Sequence, residues 1–265
     1  MNKIDWHGER ILPTQSSIDA AVNHIARYAF AKKLVSGKVL DAACGAGYGS
    51  FILSNKKYTN VIGIDIEEGA IKWAKRFYLT DEKVSNLNFK AEDIYNLSFA
   101  NKSFDCIVSF ETLEHLPYLD RYFQELKRVL ALNGKLIISV PDYDTNIGAG
   151  SPNPYHLNEL KLHEFDDYLK KYFKRHSLYY QELEAQNKVS RLKSLVASIL
   201  PSKTKALLKS FFFSFNAENF FDGKDYLAFE KKQKNLFSQY AVKKLRLNSF
   251  VKKNNKRYVF LAICN

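Results

Sequence analysis

Two sets of residues have the types and spacing that chemistry needs. The first is Asp41, then Gly45, Gly47 and Gly49, with Asp65 beyond them. Glycine lets a backbone turn through positive φ and approach a ligand closely. An acid about twenty residues past such a loop, at the end of the next strand, is placed to accept two ribose hydroxyls. This set reads as a cradle for a nucleoside-bearing ligand. The second set is Glu111, Glu114 and His115, with His156 further along. Imidazoles and carboxylates exchange protons near neutral pH, so this set suits an acceptor hydroxyl that must lose its proton. His156 and His115 are the base candidates, and Glu111 lies beside them by topology. No His, Asp or Glu cluster has convincing metal-ligand spacing, and no metal is expected.

These residues need elements to hold them. Val39 and Leu40 end an apolar run, as a buried strand does, and a helix is expected from near Gly49. A second strand covers Val61 to Asp65. Ile71, Ala74, Phe77 and Tyr78 mark the next helix by their spacing. Leu87 to Lys90 and Phe104 to Phe110 read as the third and fourth strands. A helix follows from Leu119 to Leu130, with Tyr122, Phe123, Leu126 and Val129 inward. Asn133-Gly134 is its expected stop, and Lys135 to Val140 is the fifth strand. Phe173 to Tyr180 reads as a sixth strand, and Arg257 to Cys264 is a last apolar run. In open α/β sheets the ligand crevice lies at the carboxyl ends of the strands. That end receives Asp41, Asp65 and Glu111, and also the loop 141–158, which is rich in Pro, Gly and Asn. Tyr143, Tyr155 and His156 are expected to face an acceptor there.

The chain has 265 residues, 46% of them hydrophobic, and a net charge of +12. That length supports one large core, or one core and a small annex. Residues 1–180 are close to electrically balanced, so nearly all of the positive charge falls after residue 180. Lys188, Arg191, Lys193, Lys203, Lys205 and Lys209 flank two apolar stripes there. One runs from Val189 to Leu200 and the other from Leu207 to Phe215. A basic amphipathic pair of this kind reads as a membrane-surface or partner-binding segment, or as an annex packed on the core. Cys44, Cys106 and Cys264 show no metal spacing and are expected to be free thiols in a reducing compartment. No apolar run has the length of a membrane span, and residues 1–10 lack the apolar core of a signal peptide. A cytoplasmic location follows, with peripheral attachment at the inner face of the membrane through 188–215.

The stretch Asp41-Ala42-Ala43-Cys44-Gly45-Ala46-Gly47 resembles motif I of class I S-adenosylmethionine-dependent methyltransferases. The resemblance continues through Asp65, Ala91-Glu92-Asp93-Ile94, Phe104 to Ser109 and Gly134 to Pro141. It implies an α/β fold with a Rossmann-like, seven-stranded, mostly parallel sheet and helices on both faces. An N-terminal capping helix (17–35), a seventh strand at Arg257 to Cys264 in a hairpin with the sixth, and a basic helical insertion before that last strand complete it. The domain division expected is 1–36 for the arm and cap, 37–182 with 251–265 for the core, and 183–250 for the insertion. The resemblance implies S-adenosylmethionine as cofactor, held by Arg27, Tyr28, Asp41, Ala43, Gly45, Gly47, Asp65, Ile66, Asp93, Ile94 and Phe110. Arg27 would pair with the methionine carboxylate, Asp93 with the adenine amino group, and Ile94 would lie against the ring. Gly8-Glu9-Arg10 and His24 to Ala31 resemble a bacterial methyltransferase group that acts in surface-glycan assembly. The implied reaction is methylation of a hydroxyl on a small molecule or glycan, foremost a sugar of a surface polysaccharide or its lipid-linked precursor. Alternatives are an isoprenoid quinone or other lipid-soluble acceptor, and a non-catalytic partner that keeps the fold. A nucleic-acid acceptor is not expected, because the Asn/Asp-Pro-Pro-Tyr/Phe pattern is absent. The oligomeric state stays open.

Overall fold

The computed structural model describes residues 18–79, 85–146, 155–183, 242–246, 250 and 257–265. Eight strands form one sheet in the order β3-β2-β1-β4-β5-β8-β6-β7. Their ranges are β1 Gly37–Ala42, β2 Thr59–Asp65, β3 Leu87–Ala91, β4 Phe104–Ser109, β5 Leu130–Pro141, β6 His176–Leu183, β7 Lys243–Lys244 and β8 Arg257–Cys264. Strands β1 to β5 pair in parallel, and β8 runs antiparallel between β5 and β6. The chain order doubles back at β1 and β4, and the crevice opens beside their carboxyl ends.

The strands sort their side chains by alternation. Leu40, Ile107, Leu136, Ile138, Tyr258, Phe260 and Ala262 enter the core on one face. Val39, Cys106, Val108, Ile137, Val259 and Leu261 enter the core on the other. A strand buried on both faces reads as an unbroken apolar run, and Tyr258 to Cys264 has that form. Helices α4 (Leu119–Val129) and α6 (Leu162–Tyr172) cover the first face, through Tyr122, Phe123, Leu126, Phe165 and Leu169. Helices α1 (Ile18–Leu34), α2 (Tyr48–Ser54) and α3 (Glu68–Tyr78) supply the second, through Ile25, Tyr28, Ala31, Phe51, Ile52, Ile71 and Ala74. A short α5 spans Tyr143–Asn146.

Three details differ from the sequence expectation. The sheet has an eighth strand, because Lys243–Lys244 pairs with Tyr179 and Tyr180 at the edge of β6. Leu245 beside it is buried in the core, so the segment assigned to the insertion (183–250) returns to the sheet before its expected end. The fifth strand starts at Leu130, directly after α4, and not at Lys135. Leu130 pairs with Phe104, and the register then shifts so that Lys135 meets Cys106; Asn133-Gly134 sits within that irregularity. The sixth strand begins three residues later than Phe173, which caps α6 with its amide on Leu169. The stripes between Lys188 and Phe215 lie outside the described residues. Among those described, no helix is long and apolar enough to cross a membrane. The three cysteines are buried and free.

Candidate active site

The glycine loop joins β1 to α2. Gly47 caps the helix at φ 83°, and a Cβ on it would lie 2.7 Å from both Ala74 and the Phe89 ring. Only glycine meets both demands. A Cβ on Gly45 would meet nothing within 4 Å, so the loop faces open space at that point. Asp65 ends β2 beside it. Its Oδ2 accepts from the Gly45 amide at 2.9 Å and its Oδ1 from the Glu67 amide at 3.0 Å. Each carboxylate oxygen has two lone pairs, which suits an acid shared between a loop and a ribose. Ile66, the next residue, is 70% exposed despite its apolar side chain. An open loop, a fixed acid and a bare aliphatic surface side by side fit a nucleoside.

Asp41 is fully buried at the end of β1. It accepts from Tyr28 Oη at 3.0 Å and from Ser50 Oγ at 2.6 Å. Burial pushes its carboxyl up to about 7, although both hydrogen bonds act the other way. The Tyr28 ring also packs edge-on against Phe110 and Tyr48. Tyr28, Asp41 and Phe110 thus bind α1 to the glycine loop from within the core. Asp93 uses its Oδ1 to accept from the Tyr95 amide, as a turn-capping aspartate does, and Ile94 is buried in the core cluster.

Arg27 is 1% exposed. It donates to Gln181 Oε1 at 2.9 Å and lies 3.6 Å from Glu111 Oε2. Its Nε has no acceptor among the described residues. Gln181 returns a hydrogen bond to the Asn23 carbonyl, which ties α1 to β6. Glu111 has φ 50° and Ala43 has φ 62°, a strained conformation for residues with a Cβ. Such strain costs on the order of 1–3 kcal/mol and gathers at functional sites. These two residues follow β1 and β4, the neighbouring strands at the centre of the crevice. Ser139 of β5 holds Glu111 in place: it donates to Oε1 at 2.9 Å and accepts from the Glu111 amide at 3.2 Å.

The loop after β5 returns to this site. The Leu157 and Asn158 amides donate to the Glu114 carbonyl at 2.6 and 3.0 Å. His115 Nδ1 donates to the Tyr155 carbonyl at 3.0 Å. The acceptor fixes the tautomer, since a carbonyl cannot donate. His156 is thereby set edge-on against His115 with ring centroids 5.2 Å apart. Its Nδ1 meets Glu159 Oε1 at 2.9 Å. Tyr155 and Leu157, on either side of His156 in the chain, are exposed. Tyr143 is half-buried beneath the Lys161 ammonium and away from solvent's full reach.

The structure brings the two sequence sets to one end of the sheet and adds residues that no motif signalled. Ser50, Ser139 and Gln181 are ordinary polar residues in sequence, and only their partners reveal their roles. Glu159 carried a faint signal, three residues after His156.

A family model described as a methyltransferase domain matches residues 34–210. A probable S-adenosylmethionine-dependent methyltransferase of Mycolicibacterium smegmatis is 26% identical over 166 residues, covering 61% of this chain and 62% of that protein. The chloroplastic tocopherol O-methyltransferase of Arabidopsis thaliana is 32% identical over 125 residues, covering 46% of this chain and 36% of that protein. The chain therefore spans less than two thirds of the length of either relative. Among solved structures, the PH0226 protein of Pyrococcus horikoshii is similar with a TM-score of 0.53 at 26% identity, covering 63% of this chain and 90% of that one. With a family model matching well over half of its length, this chain belongs to the S-adenosylmethionine-dependent methyltransferase family.

Proposed function

We propose that the protein transfers the methyl group of S-adenosylmethionine to a hydroxyl of a small molecule or glycan, foremost a sugar of a bacterial surface polysaccharide or its lipid-linked precursor. The observation that carries the hydroxyl reading is the histidine pair, His115 and His156, at the crevice that also holds the glycine loop. Methyl transfer from a sulfonium is an in-line displacement, and the thioether leaves without an acid. A hydroxyl nucleophile, unlike an amine, must shed its proton, and the pair is built to manage one. The exposed Tyr155 and Leu157 offer an apolar rim for the face of a sugar or ring.

In this reading Asp65 accepts the ribose hydroxyls and Ile66 lies under the adenine. Gly45, Gly47 and Ala43 shape the loop around the cofactor, with Asp93 and Ile94 at its adenine end. Arg27 reaches the methionine carboxylate, for which its unmatched Nε is a ready donor. Glu111 stands between Arg27 and the acceptor. Residues 188–215 hold the protein at an anionic membrane surface, near a lipid-linked acceptor. A second reading, a lipid-soluble phenol such as a quinone precursor, is favoured by the likeness to a tocopherol O-methyltransferase.

The test is methyl transfer from labelled S-adenosylmethionine to purified glycan, lipid-linked sugar and quinone fractions. Label in a sugar ether supports the first reading, and label in a phenolic ether the second. His156→Ala should lower kcat by about 10²–10⁴-fold with cofactor affinity little changed. Label only in amines, or cofactor binding with no transfer to any hydroxyl, would reject the proposal.

A further inference from the structure

Three donor side chains converge where β4 meets the loop after β5. One ligand atom each from Glu114, His115 and His156 lies within 4.8 Å of the others. Linear spacing concealed this group, because His156 comes from a separate segment. The two segments are locked together by the Leu157 and Asn158 amides on the Glu114 carbonyl, and by Asn158 Nδ2 on the Leu116 carbonyl.

The hydrogen bonds around the rings fix what they present. His115 gives its Nδ1 proton to the Tyr155 carbonyl, and His156 gives its own to the Glu159 carboxylate. In the neutral rings the lone pairs therefore sit on the two Nε2 atoms. His115 Nε2 is 4.0 Å from Glu114 Oε1, and the Glu114 side chain is 2% exposed. An imidazole whose Nδ1–H is held by a carboxylate or carbonyl is the usual arrangement of a metal-ligating histidine. A buried carboxylate beside two such nitrogens is stabilised by a cation. Two bonds of about 2.0–2.2 Å to one ion span up to about 4.4 Å, so small side-chain rotations bring the donors into range.

We infer that Glu114, His115 and His156 form a binding site for one first-row divalent transition ion such as Zn2+. Two imidazole nitrogens and one carboxylate oxygen suit that class over Mg2+ or Ca2+, which take oxygen ligands. Three protein ligands leave a position open. Resting on the hydroxyl reading above, that position takes the acceptor oxygen. Coordination lowers the pKa of the hydroxyl, and its proton passes to solvent water. The oxygen then attacks the sulfonium methyl carbon. The O–C bond forms as the C–S bond breaks, the bonding pair stays on sulfur, and the products are the methyl ether, S-adenosylhomocysteine and the released proton. The histidines thus act on the proton through the ion, and Glu159 is a positioning residue.

The experiment uses the full chain without a histidine tag, treated with chelator and returned to metal-free buffer. Titration with Co2+ is followed by visible absorption, and S-adenosylmethionine binding is measured calorimetrically on the same samples. The wild type should take up one equivalent of Co2+. His115→Gln, His156→Ala and Glu114→Gln should each bind it at least about 10-fold more weakly, with cofactor binding retained. Glu159→Gln, which removes no ligand, should weaken it about 10- to 100-fold and covers the case in which a ligand variant does not fold. No uptake by the wild type, or uptake by the two histidine variants as tight as the wild type's, overturns the site. The readouts also separate the two proposals. Methyl transfer to a hydroxyl by metal-free protein rejects the metal site and keeps the function. Metal uptake without transfer to any hydroxyl rejects the function and keeps the site.

Discussion

Asp65 carries more than its proposed ligand contact. Its two carboxylate oxygens fix the amides of Gly45 and Glu67, so it shapes the loop that it would share with a ribose. Removing it costs both the loop anchor and the charged hydrogen bonds, the latter worth about 1.5–3 kcal/mol. Asp65→Ala should therefore weaken S-adenosylmethionine binding by roughly 10- to 150-fold by calorimetry. Unchanged affinity in a folded variant would remove Asp65 from the cofactor site. Asp41 gives a prediction of opposite electrostatic character. Burial raises its carboxyl from 3.8 to about 7, so the folded chain holds this proton more tightly than the unfolded chain does. Its stabilising contribution is therefore fully present below the unfolded value. It declines as pH rises towards about 7, where the folded carboxyl ionises, and is level above that. Asp41→Asn does not titrate. Between about pH 5 and pH 7 its urea midpoint should gain on that of the wild type. Parallel profiles for the two proteins would contradict the assignment.

At the scale of elements, α1 is joined to the rest of the site by three unlike contacts. Tyr28 reaches Asp41, Arg27 reaches Gln181 and Glu111, and His24 Nδ1 meets Tyr48 Oη at 3.0 Å. Burial, aided by the Arg27 charge, lowers the His24 pKa well below its usual value, which keeps the ring neutral in this contact. The fit of α1 on α2 depends on the absence of a side chain at Gly49. A Cβ there would lie 2.0 Å from the Tyr28 ring. Gly49→Ala should cost about 1–3 kcal/mol of stability through overpacking and should weaken cofactor binding by displacing α1. Gly49→Ala combined with Tyr28→Leu, which removes the ring, should recover part of the loss in a thermal melt. No recovery would mean that the glycine is needed for some other reason. The loop 155–158 and the 3₁₀ turn Leu113–His115 form a second such joint. It decides the geometry of the histidine pair.

For the whole molecule, charge is divided along the chain: residues 1–180 are nearly neutral and the region after them is basic. Each Lys or Arg near an anionic leaflet contributes about 1 kcal/mol, less as salt rises. The protein should co-sediment with anionic liposomes at low salt, less so at high salt, and not with neutral ones. Replacing Leu207, Phe211 and Phe212 by Ser should abolish binding and leave the fold intact. Protein that stays in the supernatant, or a triple variant that unfolds, would show that the stripe is core. The sequence by itself determined seven of the strands, their buried character, the glycine loop and the acid that ends β2. Those features are local: apolar runs, helical spacing and the φ that only glycine takes easily. The pairing of β8 with β6 came from the family resemblance, and the structure sets β8 between β5 and β6. Tertiary structure decided what depends on distant backbone. It put Gln181 against Arg27, Ser139 against Glu111, and Lys243–Lys244 on the edge of β6. It also joined His156 to His115 and Glu114. No pattern along the chain encodes that meeting, because amides of a returning loop make it by bonding to a single carbonyl, and every residue has an amide and a carbonyl to offer.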